Sequence, residues 1–462
     1  MARGRRGLRR IATALAVIWA LPLAAQDGPR LDAQQMRVLG YRLMAAGDAV
    51  AAGQTASALI ARDPGDTAAL MLRAQARAAT GDAAGARADA RRVWRGADAP
   101  GARFGAAMFM ADSYARAGWP SLGQLWLRKA ADVAPDEQAM AGLAEDYRFM
   151  RSRNPLLIRV TADLAPSSNV NSGATATSFT NPGIPWLPPE IEIEQDQRAL
   201  SGIEATLGAA LTWRLPPSAT TMDALHLRLE QTEVWLSDAA KDIAPLAKGS
   251  DYSRALAEIG VTRRWRPEGG RTSYEFGLFG AHNRAGRAPL SNVIRLSAEA
   301  ERPLGHGLVG SLGFSAEDQH RLDADVRSAQ VAGLSFGLMR KAANGDLWQI
   351  SLGARDTATD SAGLRNTALT ARLGWNRAQP IWGIAISGGI SFEARDYPDS
   401  PYDPVDGRQD RRVTLDLSLQ PGQIEYMGFN PVIDLHASRN ASDVGLYESE
   451  DYGIGLGFRS RF

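Results

Sequence analysis

From Asn154-Pro155 onward, apolar residues recur at every second position in runs of about eight to twelve residues, the period of a strand with one apolar face. Ile158, Val160, Ala162 and Leu164 alternate with Arg159, Thr161 and Asp163. Ile203, Ala205, Leu207, Ala209, Leu211 and Trp213 alternate with Glu204, Thr206 and Thr212. Ile294, Leu296, Ala298 and Ala300 form a third run, and Trp382, Ile384, Ile386, Gly388, Ile390 and Phe392 a late one. Further runs lie near 224–234, 254–265, 272–282, 308–315, 327–340, 347–355, 364–375, 411–419, 429–438 and 451–462. That makes fourteen, an even number, as expected of a bacterial single-chain membrane barrel. The connections alternate in length. Long ones are expected near 165–197, 235–253, 283–291, 315–326, 356–363, 396–410 and 439–450. Short ones, with turn chemistry such as Pro267-Glu268-Gly269-Gly270 and Asn344-Gly345-Asp346, fall near 215–222, 266–271, 302–307, 341–346, 376–381 and 420–424.

Before Asn154 the pattern is helical. Ala, Leu, Arg and Met dominate residues 30–153. Gly47-Asp48 and Gly81-Asp82 stand 34 residues apart, and Gly118-Trp119 follows after 37 more. Pro64, Pro100 and Pro135 fall between these turns. Helix, Gly turn, helix and Pro break at this period resemble tetratricopeptide repeats, with room for about three hairpins. Stacked hairpins leave a concave groove. Tyr41 and Tyr114 are candidate groove residues, for peptide or protein binding; the alternative is a spacer or a plug. The expected fold is therefore an α + β membrane protein, an N-terminal tetratricopeptide-like α-solenoid followed by a fourteen-stranded transmembrane antiparallel β-barrel.

The first residues add a compartment. Arg3, Arg5, Arg6, Arg9 and Arg10 precede an apolar run from Ile11 to Leu23, and Leu23-Ala24-Ala25 offers a cleavage site before Gln26. The expected organisation is a signal peptide over 1–25, a periplasmic helical-repeat domain over 26–153 and an outer-membrane barrel over 154–462. The last strand ends on Phe458 and Phe462, a pattern like the recognition signal of the barrel assembly machinery. Trp213, Trp265, Trp348, Trp375 and Trp382 fall at strand ends and fit an aromatic girdle in contact with outer-membrane lipid.

Composition narrows the chemistry. A formal net charge of +1 over 462 residues leaves no basic field for nucleic acid. There is no Cys, and the five His are scattered without metal-ligand spacing. No nucleotide-binding loop, dinucleotide fingerprint or serine-nucleophile elbow occurs, so neither an enzyme nor a cofactor is expected. The polar strand face carries both signs: Arg159, Asp163, Glu204, Arg228, Glu230, Glu258, Arg264, Glu275, Arg295, Glu299, Arg355, Arg372, Glu393, Arg395, Arg412, Asp416, Asp434 and Arg459. Such residues suit a watery lumen, as stabilising ion pairs or as a substrate path. Mixed sign argues against a strongly ion-selective pore.

The whole arrangement resembles the surface lipoprotein assembly modifier family, also described as type XI secretion outer-membrane proteins. The most specific local feature is Ala165-Pro166-Ser167-Ser168-Asn169-Val170-Asn171, which matches the family's pattern of Pro, two residues, Asn, any residue, Asn. Loop structuring through side-chain caps would equally explain Pro166, Asn169 and Asn171. The resemblance implies a translocator that helps client secreted proteins or surface lipoproteins reach the cell surface, with periplasmic chaperones as further partners. The rival reading is a polysaccharide exporter, which also joins helical repeats to an outer-membrane barrel.

Overall fold

The structure is a computed structural model that describes residues 31–181, 187–403, 406–424 and 429–460. The proposed signal peptide and Phe462 lie outside the described residues. The chain divides into two compact units, one up to Asp89 and one from Ala90 on.

Among the described residues seven helices precede the strands: α1 (Ala33–Ala45), α2 (Ala49–Arg62), α3 (Thr67–Ala79), α4 (Ala83–Gly96), α5 (Pro100–Arg116), α6 (Pro120–Ala131) and α7 (Glu137–Arg153). Their punctuation has a backbone cause. Gly47, Gly81 and Gly118 all have φ between 79° and 89°, the left-handed conformation that ends a helix and that Gly adopts without a Cβ clash. Asp48 then caps α2 by accepting from the Ala51 amide, as Asp32, Asp66 and Asp136 cap α1, α3 and α7. In the first unit the core is small: Ala52, Ala56, Leu59, Ala69, Leu70, Leu72 and Ala74 are buried. Two carboxylates are buried with partners. Arg73 grips Asp89 with two bonds of 2.8 and 2.7 Å, and Arg37 holds Asp66 at 2.8 Å. None of the described helices is long and apolar enough to cross a membrane.

The strands are β1 (Leu156–Ser167), β2 (Ser178–Thr180), β3 (Glu190–Glu192), β4 (Gly202–Arg214), β5 (Thr221–Leu236), β6 (Arg254–Trp265), β7 (Ser273–Ala285) and β8 (Ala288–Gly305). There follow β9 (Leu308–Arg321), β10 (Ala329–Lys341), β11 (Leu347–Thr359), β12 (Asn366–Asn376), β13 (Ile384–Tyr397), β14 (Arg408–Pro421), β15 (Phe429–Ser442) and β16 (Ser449–Ser460). Fourteen of them, all but β2 and β3, close into one antiparallel barrel in which sequence neighbours pair and β1 meets β16. β2 and β3 form a separate hairpin inside the first long connection.

The connection lengths depart from expectation in three places, one of them the loop expected over 439–450, which spans 443–448. β7 and β8 are joined by Gly286-Arg287 alone, both at positive φ, where a long loop near 283–291 was expected. Likewise β9 continues to Arg321, so the loop expected over 315–326 shrinks to 322–328. Both strands lose their apolar alternation before they end. A strand that projects beyond a bilayer needs no apolar face, yet its hydrogen-bond ladder carries on. Trp382 is likewise in the turn before β13, at φ 52° and 88% exposed, rather than on a strand.

Candidate functional site

The register assigns each strand residue to one of two faces. On one face stand Ile158, Val160, Leu207, Ile259, Leu278, Ile294, Leu334, Leu369, Phe392 and Ile454, all large, apolar and exposed. A closed sheet with such an exterior is the architecture of an outer-membrane barrel, and the opposite face is its lumen. Trp213, Trp265, Trp348 and Trp375 ring the outer surface at the short-turn end, which is also where α7 enters β1. Trp265 stacks on Tyr274 at 5.3 Å, and Trp348 lies 6.0 Å from Trp375. The Trp375 indole N–H donates to Asp346, which also accepts from the Ala378 amide. These two donors, the amide first, hold the Asp346 carboxyl below the usual carboxylate range.

Inside, the charges are cross-linked. Glu204 meets Arg254 at 3.0 Å, Glu258 meets Arg295 at 2.9 Å, and Asp416 meets Arg372 at 2.7 Å, each pair reaching across an intervening strand. Arg264–Glu275, Arg228–Glu230, Glu393–Arg395 and Asp434–Arg459 close at 2.7–3.2 Å. Arg159, Glu299, Arg355 and Arg412 share the lumen face without an ion pair among the described residues. Asp163 shares it too, opposite Gly457 of β16. Between these charges the β9–β11 wall is smooth, with Gly313 opposite Ser335 and Ser335 opposite Gly353. A recess of about 310 Å³ over this wall is bordered by Glu275, Arg295 and Glu299. Such a lumen offers polar, charge-balanced walls; among the described residues no cluster could hold a metal ion.

The motif after β1 is a pair of staples. Asn169, 4% exposed, accepts from the Gly173 amide at 2.8 Å and donates to the carbonyls of Gly173 and Glu450 at 2.9 and 3.0 Å. Asn171 donates to the carbonyls of Asp196 and Arg198 and accepts from the Leu200 amide. One Asn thus ties the first long loop to β16, and the other ties its outgoing limb to its returning limb. Val170 between them is buried with Leu200, Val234 and Leu236. Pro166 lies on β1 opposite Ile203.

The loop then spreads over the mouth. Phe179 on β2 packs in a cluster with Ala174, Ile193 and Val444, and its ring meets Tyr402 edge-on at 6.0 Å. Below this roof Arg408 is sandwiched, its guanidinium 3.7 Å from the Tyr397 ring and 3.5 Å from the Tyr447 ring. It is buried beside Asp410 at 3.3 Å. Nothing in the alternation marked Arg408, because its partners come from a neighbouring strand end and a separate loop.

At the other end Arg214, the last residue of β4, donates to the carbonyls of Arg151, Ser152 and Asn154. It caps the C-terminus of α7 with a cation, the favourable sign at that end of a helix. Arg128 of α6 lies 4.4 Å over the Phe429 ring at the start of β15. Of the two proposed groove residues, Tyr41 on α1 is 45% exposed, and Tyr114 on α5 accepts from Arg91 at 3.1 Å. They belong to different compact units, so neither unit by itself contains both. Phe458 points outward on β16 and is 58% exposed.

No family model matches the chain, and no curated protein matches it. Solved structures are similar over parts of it. An anion-selective porin from Comamonas acidovorans is 10% identical, covering 66% of this chain and 99% of its own, with a TM-score of 0.35. A bacterial polysaccharide outer membrane secretin is 8% identical, covering 66% and 98%, with a TM-score of 0.32. The Yersinia enterocolitica type III secretion chaperone SycD, bound to a peptide of the translocator YopD, is 15% identical, covering 26% and 92%, with a TM-score of 0.23. At such scores the functional reading rests on the geometry of the barrel itself.

Proposed function

We propose that this protein is an outer-membrane translocator that helps client proteins, surface lipoproteins or secreted haem- and metal-acquisition proteins, reach the cell surface. In this reading the helical hairpins stand in the periplasm and recruit the client or its chaperone. The observation that carries it is the joint between helices and barrel. Asn154 is buried, with its amide bonded to Ser121 and Gln124 of α6 and its carbonyl oxygen accepting from the Leu156 amide of β1. With the Arg214 cap and the Arg128–Phe429 contact, this fixes α6 and α7 against the short-turn rim. A plain pore has no need of a helical domain stapled to its rim, whereas a receptor held there keeps whatever it binds at high effective concentration beside the pore. The charge-balanced lumen supports the same reading over export of a polymer of one charge sign. The resemblance to the surface lipoprotein assembly modifiers agrees with it.

The experiment is removal of residues 30–150. The barrel should remain in the outer membrane, and a specific client should stop reaching the surface and accumulate in the periplasm, as read by protease or antibody accessibility on intact cells. If all secreted proteins and lipoproteins reach the surface normally while an exopolysaccharide disappears, the exporter reading replaces this one.

A further inference from the structure

The lipid-facing wall is indented across β1, β4, β5, β6 and β7 by a groove of about 470 Å³, within the volume range of ligand sites. Two adjoining cross-strand rows line it. One runs Val160, Ala209, Leu229, Ala257 and His282, each paired with the next. The other, nearer the long loops, runs Leu207, Gln231, Ala255 and Arg284. On the opposite side the next row is bulky, with Leu211 paired to Leu227 and Leu227 to Ile259. The Ala side chains thus form a floor beside a raised apolar edge.

The depth of the groove follows from strand geometry. Tyr274, stacked on Trp265, marks the membrane interface at the short-turn end. Arg284 stands ten residues further along β7. At about 3.3 Å per residue and a strand tilt of about 40°, that is about 25 Å of height, the full apolar band of such a barrel. Arg284 therefore lies at the other interface, on the long-loop side, which in barrels of this kind faces outside the cell. Val160 is four residues from the start of β1, about 10 Å up by the same measure. The groove climbs from near the middle of the bilayer to the outer interface.

At its upper end the groove meets a cation. Arg284 is exposed, donates to the Arg287 carbonyl and forms no ion pair among the described residues. The nearby Glu233 carboxylate is occupied by Gln231 at 2.9 Å and Arg287 at 3.5 Å. We propose that this groove seats acyl chains of a phosphorylated glycolipid of the outer leaflet, with one of its phosphates on Arg284. Hydrocarbon is the material that fills a groove in the bilayer, and a chain lying on the Ala floor gains dispersion contacts from the floor and from the Leu227–Ile259 edge. Guanidinium is the side-chain group best matched to phosphate, and here it stands at the height where headgroups begin. The site is independent of what the pore carries.

The test uses the full chain, checked for heat-modifiable folding in detergent. The probe is a bisphosphorylated, hexa-acylated glucosamine disaccharide with a photoreactive group in one acyl chain. Mass spectrometry of the cross-linked peptides reads this groove separately from the rest of the lipid face. Labelling should concentrate on residues 207–209, 229–231 and 255–257, with little at Leu312, which faces lipid on β9. The unlabelled lipid should compete the labelling away. The same lipid stripped of its phosphates, and phosphatidylglycerol, should each compete about tenfold more weakly. Arg284→Gln should erase the difference between phosphorylated and stripped competitors without weakening the stripped one. Ala257→Phe should fill the groove and cut its labelling several-fold. The inference is overturned by even labelling around the barrel, by equal competition from the stripped lipid or from phosphatidylglycerol, by a tenfold difference that survives Arg284→Gln, or by unchanged labelling of Ala257→Phe.

Discussion

Asn169 is the most exacting place to test how the long-loop mouth is built. Replacing it with Ala disturbs three groups at once: the carbonyls of Gly173 and Glu450 lose its amide donor, and the Gly173 amide is left with its longer bond to Asn171 Oδ1 at 3.4 Å. A buried polar group left without a partner costs about 1–3 kcal/mol. Water reaches a loop at a barrel mouth more easily than a core, so two of the three groups recover much of that cost. The local clamp should lose about 2–4 kcal/mol. At about 1.4 kcal/mol per decade, the population of opened loop rises roughly thirtyfold to several hundredfold. The assay is limited proteolysis within residues 168–201 of the full-length protein in liposomes, under conditions where cleavage follows the opened population. Asn169→Asp adds an internal control: it keeps the acceptor for the Gly173 amide but turns a carboxylate toward two carbonyl oxygens, so it should be at least as damaging. An unchanged cleavage rate for the Ala variant, or a harmless Asp variant, would refute the clamp.

Leu207 faces lipid and is 65% exposed on the bare barrel, so Leu207→Arg should cost about 2–4 kcal/mol in a denaturant titration in vesicles, with Thr206→Ala on the lumen face costing far less. Equal costs would mean the faces are reversed. Arg408→Ala leaves Asp410 buried without its cation and should destabilise the mouth by about 3 kcal/mol, and adding Asp410→Asn should return part of that; additive losses in a double-mutant cycle would show that the two do not act as a pair. Burial raises the Asp66 carboxyl, but the Ala69 amide and Arg37 outweigh it and leave its pKa below the ordinary value. A depressed folded pKa adds stability above the unfolded value that is lost as pH falls through the folded one. The helical signal of the full chain should therefore weaken below about pH 4, and Asp66→Asn should flatten that dependence; an identical acid profile in the variant would reject the assignment.

The strand count, the order of helices and barrel, and the sense of the faces were legible because each answers to a local rule. Lipid demands an apolar residue at every second position, so Ile158, Val160, Ala162 and Leu164 announce themselves. A helix that must turn back on itself needs a left-handed residue and then a cap, so Gly47-Asp48 and Gly81-Asp82 announce themselves too. Where the local rule lapses, so does legibility. Beyond the bilayer the strands β7, β8 and β9 run on with polar sequences such as Ala316-Glu317-Asp318-Gln319-His320, which read as loop although the ladder continues. The alternation separated inward from outward charges but could not say that Glu258 would reach past β7 to Arg295, since that distance depends on wall curvature and not on spacing along the chain.

The closing β1–β16 seam is the extreme case of the same limit. Every other register joins two barrel strands that follow one another along the chain, most of them through a local connection. The register of β1 against β16 is the residue of thirteen such choices, because a closed barrel fixes its last interface by the accumulated stagger of the rest. A chain that has spent its alternation on two-faced strands has no local means of adjusting that last fit. It has instead Pro166, which lacks an amide hydrogen for the ladder, and a row of side chains, Ser167, Ser168, Asn169 and Asp451, that bond across the seam beside the Ser168 amide's bond to the Tyr452 carbonyl. On this reasoning the Pro-to-Asn motif at the end of β1 is what fastens the long-loop end of the seam.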